Sequence, residues 1–184
     1  MPSPVAHSLA GYLIYSAVPK HVSHVELGKL LLYCLCTLLP DLDFIPGFLL
    51  GNPNKYHHGL SHSLGFATAF ALLVSFTFYF FRSRSFLSGF MIFFSLYFSH
   101  VILDIFSQDT TSPYGVPALW PLTNTYYISP VPIFLDIQKD SVSETFITSL
   151  LTFHNLLAMV VEVVVFLPLL AFMSYIRRRR RRFT

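Results

Sequence analysis

Five apolar segments, separated by short polar stretches, set the terms on which this chain can fold. They cover about residues 5–18, 26–39, 63–81, 86–106 and 148–176. A helix needs about 20 residues to cross the hydrocarbon core of a bilayer, at a rise of about 1.5 Å per residue. The third, fourth and fifth segments meet that length. The first two are short, and the second stops at Pro40. Pro168 falls inside the fifth segment and predicts a kink there. Only 11% of the residues are charged, against about 25% in an average soluble domain. So few charges do not cover a water-facing surface. The 20 Phe and 10 Tyr suit lipid-facing and interfacial positions instead. The expectation is an all-α, polytopic membrane bundle of about five helices, forming one domain over 1–184.

Charge placement predicts the topology. Six of the twelve Lys and Arg residues form the run 177–182, directly after the fifth segment. Such a run serves nucleic-acid binding, nuclear targeting or a cytoplasmic stop. Its position after a membrane-length segment points to the stop, with anionic headgroups as its contacts and no nucleic acid. Arg82 and Arg84 lie between segments three and four, and Lys20 and Lys29 flank the turn between segments one and two. If each segment crosses, these positions share one side, the cytoplasmic one, with the basic tail 177–184. The N-terminus, the loop 40–62 and the long loop 107–147 then lie on the other side. That long loop carries Asp109, Asp136, Asp140 and Glu144 against Lys139 alone. The N-terminus lacks the basic region of a signal peptide, so it is expected to be retained. Cys34 and Cys36, two apart on a helix, point to different sides and read as apolar residues.

Ionisable residues within membrane segments are costly and by default mark function. Here they follow a pattern. His7 begins segment one, and Asp41 and Asp43 follow segment two. His57, His58 and His62 lead into segment three, and His100 and Asp104 end segment four. The topology drawn from Lys and Arg alone puts all eight at one membrane face. His58 and His62 are four apart, as are His100 and Asp104, so each pair shares one face of a helix. Imidazole with carboxylate is a donor mix that zinc accepts; manganese(II) and iron(II) accept it too. Taken singly, His7 also suits a hydrogen-bonded interfacial residue, and Asp41 and Asp43 suit turn chemistry. Eight donors exceed one closed zinc shell and suit either two ions or one ion with orienting carboxylates. His21 and His24 fall on the opposite side. His154 is at the correct end of segment five, and Glu162 lies deeper, either hydrogen-bonded within the bundle or lining a polar cavity. A carboxylate-rich cluster suits a divalent ion better than haem.

The motifs run in a fixed order: Ala6-His7, Pro40-Asp41-Leu42-Asp43, His58-Gly59-Leu60-Ser61-His62-Ser63, Ser99-His100-Val101-Ile102-Leu103-Asp104, and Gly115 with Trp120-Pro121. This set, over about 4–122, resembles the YdjM family of bacterial and archaeal inner-membrane proteins, described as membrane-bound metal-dependent hydrolases. More distantly it is similar to the zinc-dependent phospholipase C and P1 nuclease group of helical phosphoesterases. That likeness implies that Asp41, one of His57 and His58, His100 and Asp104 hold one metal. It implies that Asp104 bridges to a second metal with His7, while His62 and Asp43 are further ligands or orient ligands. The chain does not start with the ligand whose amine binds zinc in that group, and Ala158 stands four residues after His154 where a Glu is expected there. One or two ions are therefore expected, not three. The chemistry implied is hydrolysis by metal-activated water, with Asp43 or His62 taking the proton or orienting the water. A site at headgroup level predicts a lipid or lipid-linked phosphoester, with the aromatic stretch 120–127 either covering the site or anchoring at the interface. A metal transporter and a metal-stapled scaffold are the alternatives.

Overall fold

The computed structural model describes residues 1–18, 26–82, 85–110 and 112–181. Lys20, His21, His24, Arg84 and Arg182 lie outside the described residues. Seven α-helices account for most of the described chain: α1 (Pro4–Ala17), α2 (Leu27–Leu38), α3 (Phe44–Leu49), α4 (Leu64–Arg82), α5 (Phe86–Ile105), α6 (Ser143–Ser149) and α7 (Phe153–Arg181). Four helical runs are long and apolar enough to cross a membrane: Leu27–Leu49, Leu64–Phe81, Phe86–Ile105 and Phe153–Arg179. The all-α membrane bundle expected from the sequence is therefore the fold.

Two boundaries differ from expectation. The second segment does not stop at Pro40. The α-helix gives way to a 3-10 turn, Leu39–Asp43, and then to α3, making a run of 23 residues. Pro40 is tolerated because it sits in the first turn of the 3-10 helix, where its missing N–H costs no bond. Asp41 and Asp43 are thus on a helical turn and not in a loop. At the other end, Thr148 belongs to α6, and α7 begins only at Phe153, after a turn in which Thr152 Oγ1 accepts from Asn155 N–H at 3.2 Å. Pro168 lies within α7 without ending it.

α5 is central, packing against α1, α2 and α4. α1 also packs on α2 and α7. At 14 residues α1 spans about 21 Å, short of the roughly 30 Å hydrocarbon core. Gly11 lets α1 approach α2 closely: a Cβ there would meet Tyr33 O and Cys34 Cα, both at 3.1 Å. Small residues play this role wherever membrane helices touch. Tyr15, Tyr33, Cys36, Ala71, Phe93 and Leu96 fill the space between α1, α2, α4 and α5. Both cysteines are free.

The segment between α5 and α6 has little regular structure, yet it closes helix ends. Its carbonyls at Ala118 and Trp120 accept from Leu64 N–H and Gly65 N–H, each at 2.8 Å, in the first turn of α4. Its N–H groups at Ser129 and Ile133 donate to the carbonyls of Ile105 and Phe106, each at 2.7 Å, at the end of α5. Helix termini leave such groups without intrahelical partners, and hydrocarbon supplies none.

The start of α1 is fixed by Glu162, a fully buried carboxylate on α7. It accepts from Ser3 N–H and Ser3 Oγ–H, each at 2.5 Å, and from Ala6 N–H at 3.2 Å. Ser3 Oγ accepts in turn from Val5 N–H at 3.0 Å. Of the two roles open to Glu162, hydrogen bonding within the bundle is the one observed. Glu162→Ala strands these donors in a dry interior and is expected to lower stability by about 2 kcal/mol or more, because each orphaned buried group costs about 1–3 kcal/mol. Glu162→Gln keeps one acceptor oxygen and should lose less. Unfolding in detergent micelles measures both, and an unchanged Glu162→Ala transition would show that α1 is held elsewhere.

Candidate metal centre

The backbone brings the eight sequence-selected residues to one end of the bundle. His7 comes from the first turns of α1, Asp41 and Asp43 from the 3-10 turn, and His57, His58 and His62 from the segment before α4. His100 and Asp104 occupy successive turns of α5. His7, His62 and His100 are fully buried, and Asp104 is 2% exposed.

Four of them form the centre. His62 Nε2 and His100 Nε2 stand 3.1 Å apart. Asp41 Oδ1 is 3.6 Å from His62 Nε2 and 3.4 Å from His100 Nε2. Asp104 Oδ2 is 3.5 Å from His62 Nε2 and 3.1 Å from His100 Nε2. Ligands of a tetrahedral zinc, bonded at about 2.0–2.2 Å, lie roughly 3.3–3.5 Å from each other. His62, His100 and Asp104 therefore have the mutual proximity of one metal's ligands, and Asp41 Oδ1 lies within 3.6 Å of both imidazoles.

The protons point the same way. His100 Nδ1 is 2.7 Å from Thr37 O, which only accepts, so Nδ1 carries the hydrogen and Nε2 of the neutral ring presents a lone pair. Thr37 is in the last turn of α2, where carbonyls lack helical partners. His62 Nδ1 lies 3.2 Å from Asp43 Oδ2 and 3.1 Å from Ser61 Oγ, while Ser61 Oγ–H donates to the same Asp43 oxygen at 2.8 Å. Its Nε2 is likewise left facing the centre. His57 Nδ1 donates to Asp43 Oδ1 at 3.0 Å. Both Asp43 oxygens thus contact histidine nitrogens, as in the expected role of a carboxylate that orients ligands. Asp41 Oδ1, both Asp104 oxygens, both His7 ring nitrogens and His58 Nε2 are buried without hydrogen-bond partners. Native structures carry few such atoms, and these are concentrated here. Burial opposes charge on His62, but Asp41, Asp43 and Asp104 outweigh it and raise its pKa above the usual imidazole value. The centre therefore attracts cations. Burial, reinforced by Lys139, lowers the pKa of His57; burial also lowers that of His58, so both are neutral donors at pH 7.

His7 stacks on His100 with ring centroids 3.7 Å apart, and its Nε2 is 3.8 Å from Asp104 Oδ1. The structure differs over the remaining histidines. His62, and not His57 or His58, joins Asp41, His100 and Asp104. The trio His57, His58 and His62 forms a neighbouring group, with one donor atom from each within 4.8 Å of the others. His154 does not join: its Nε2 lies 2.8 Å from Asp136 O. The stretch 120–127 makes its contacts with the start of α4, Trp120 against Gly65 and Phe66, and with its own loop, Tyr127 N–H to Val116 O.

Sequence reasoning missed Asp109, Thr37 and Lys139 as parts of this region. Asp109 Oδ2 is 3.4 Å from His58 Nδ1 and accepts from Gly115 N–H at 2.7 Å. Gly115 has φ +85°, and a side chain there would also strike the backbone of Tyr127. A cavity of about 250 Å³ adjoins, lined by His57, His58, Asp109, Lys139, Asn54 and Gln138 among others.

A family model described as YdjM inner membrane protein matches residues 1–181. No curated protein and no solved structure matches the chain.

His58 has φ +60°, the left-handed conformation that L side chains avoid. Such strain persists where surrounding contacts over-determine it, and here Asp109 holds the ring. His58→Gly should therefore be more stable than His58→Ala by about 1 kcal/mol, since both lose the ring but only Ala keeps the Cβ penalty. Thermal unfolding of the two variants in detergent checks this; equal stabilities would mean that the strained backbone relaxes.

Proposed function

The chain belongs to the YdjM family of inner membrane proteins, and from its buried histidine–aspartate centre we propose that it is a membrane-embedded metal-dependent hydrolase acting on a phosphoester of a lipid or lipid-linked substrate. The observation that carries this is the facing pair His62 Nε2 and His100 Nε2, 3.1 Å apart with both Nδ1–H groups already engaged, closed by two carboxylates with unpartnered oxygens. A divalent ion held by His62, His100 and Asp104 would answer these lone pairs, with Asp41 beside it. Zinc suits the donors best, with manganese(II) or iron(II) as the other choices. His7 Nε2 with Asp104 Oδ1 marks the position of a second ion. When bound, such an ion supplies Lewis acidity and brings the pKa of water to about 7.

The chain's own residues divide the remaining work. Thr37 O fixes the His100 tautomer, and Asp43 fixes His57 and His62. Carboxylate-paired imidazoles are better donors, and such outer contacts affect affinity strongly. Asp41 is the ligand of the centre that reaches solvent, with its side chain 15% exposed while those of His62, His100 and Asp104 are enclosed. Water and substrate accordingly approach at Asp41. The orientation proposed puts the centre at the non-cytoplasmic face. α5 carries the centre at the end opposite Arg82, and Arg177 reaches Ser16 Oγ, at the far end of α1 from His7. The basic tail then faces the cytoplasm.

Enclosure of three ligands also favours a second reading, a metal that only staples α1, α2 and α5. A closed shell distinguishes it, since catalysis needs an open position. A transport path has weaker support: Glu162, the acidic group within α7, is taken up by the start of α1.

Elemental analysis of the protein purified in detergent is the first test. One or two equivalents of metal are expected, absent from His100→Ala and Asp104→Ala and bound about 10–100-fold more weakly by Asp43→Asn. Hydrolysis of lipid phosphoesters should follow metal content across the four proteins. No metal after reconstitution would sink the proposal, and full turnover by His100→Ala would do the same to the catalytic part of it.

A further inference from the structure

The cavity of about 250 Å³ beside the centre is acidic and carries acceptors that nothing in the fold answers. Asp109, Asp136 and Asp140 line it, against Lys139 and the nitrogen of Met1, so three carboxylates meet two cations and one negative charge is left over. Both cations are engaged. The Met1 nitrogen lies 2.9 Å from Asp136 Oδ1, and Lys139 Nζ lies 5.1 Å above the Phe44 ring and against Met1 Sδ. Two residues of the same lining hold buried acceptors without a partner, Asn54 Oδ1 and His58 Nε2. Asn54 donates through Nδ2–H to Asp140 O and Ser141 Oγ, which leaves Oδ1 as its unanswered end. His58 is 8% exposed, and its Nδ1 is 3.4 Å from Asp109 Oδ2. A carboxylate only accepts, so Nδ1 carries the hydrogen and Nε2 is a lone pair. Native proteins leave few buried acceptors in this condition. Here two of them share one acidic cavity.

We infer that this cavity is a subsite for a primary ammonium group, held by Asn54 Oδ1, His58 Nε2 and the surrounding carboxylates. Such a group brings one positive charge and three N–H donors, as a lysine ammonium does. The lining supplies one uncompensated negative charge and the acceptors to match. A quaternary ammonium has no N–H to give and is recognised by aromatic cages. No Phe, Tyr or Trp lines the cavity, and the face of Phe44 nearby is covered by Lys139. A metal ion fits less well. It needs several donors at close range, and among the described residues no such group of His, Cys, Asp and Glu includes Asp109, Asp136 or Asp140. Position then suggests the substrate. The His58 and His62 rings are 5.3 Å apart, so the subsite adjoins the centre. A phosphoester with an aminoethyl head spans from one to the other. That choice of ligand rests on the hydrolase reading; the ammonium subsite itself does not.

Isothermal titration calorimetry of the full chain in detergent tests this, with zinc content measured on the same samples. The probes are short-chain phosphatidylethanolamine and phosphatidylcholine, which share phosphate and acyl chains and differ in the N–H groups of the head. Wild type should bind the ethanolamine lipid about tenfold or more tightly than the choline lipid. In His58→Gly and Asn54→Leu that ratio should fall to about threefold or less, while zinc and choline-lipid binding stay unchanged and report an intact fold. Glycine accepts the φ of +60° at position 58, so the first variant removes the ring without straining the backbone. Free ethanolamine is then added. A preference that it abolishes assigns the subsite to soluble amines as well, one that persists assigns it to lipid heads, and both support the subsite. No binding by wild type, equal binding of the two lipids, a ratio kept by both variants, or loss of zinc from His58→Gly overturns it. A wild type that prefers the ethanolamine lipid but holds no zinc, or hydrolyses neither lipid, would remove the hydrolase reading and leave the subsite standing.

Discussion

Charge removed from water must be answered by other charge or by hydrogen bonds, and this bundle is organised by that requirement. Hydrocarbon offers neither, so each ionisable group inside a spanning helix needs a partner brought to it. His100 and Asp104, one turn apart on α5, create the largest demand. α1 answers with His7, the 3-10 turn with Asp41, and the segment before α4 with His62. The same contacts make α5 the helix against which α1, α2 and α4 are arranged. Yet the answer is incomplete. The partners offered are mostly acceptors, an arrangement that could hold a cation.

The second buried carboxylate shows the contrast. Glu162 is as enclosed as Asp104, but it meets two N–H groups and a hydroxyl from the start of α1. The N-terminus of a helix is the positive end of its dipole and has free N–H groups, so it suits an anion. Glu162 is therefore satisfied by protein alone. Asp104 is not: neither oxygen has a hydrogen-bond partner. Two acidic residues in similar membrane helices thus differ in role because one meets donors and the other meets lone pairs.

Much of this was legible in the sequence. Segment lengths gave three of the four spanning runs, the second being longer than read, and the four-residue spacing of His100 and Asp104 gave their shared face. The convergence of eight residues on one end followed from charge placement in the connecting turns. What was not legible depended on backbone detail. Pro40 looked like a stop because its effect on an α-helix is strong, whereas a 3-10 turn accepts it without loss. Which of His57, His58 and His62 reaches the centre is set by the irregular backbone before α4, where His58 has φ +60°, and no spacing rule encodes it. Lys139 and Asp109 were hidden because a long irregular loop has no period, so its fold over the helix ends is set by tertiary hydrogen bonds.

The two central histidines are not equivalent, and the difference bears on what the centre can do. His100 leans on a neutral carbonyl, Thr37 O, within a helix terminus; His62 leans on Asp43, a carboxylate that also holds His57 and Ser61. A carboxylate behind an imidazole raises its basicity and stabilises positive charge on it more than a carbonyl does. The His62 side is thus the more electron-rich one, and it borders the group of His57 and His58 and, through them, the cavity with Lys139. The His100 side is covered by the stacked ring of His7 and by α1. A purely structural ion needs no such asymmetry. The candidate centre is thus closed by packing on one side and bordered by a carboxylate-backed imidazole and a polar cavity on the other.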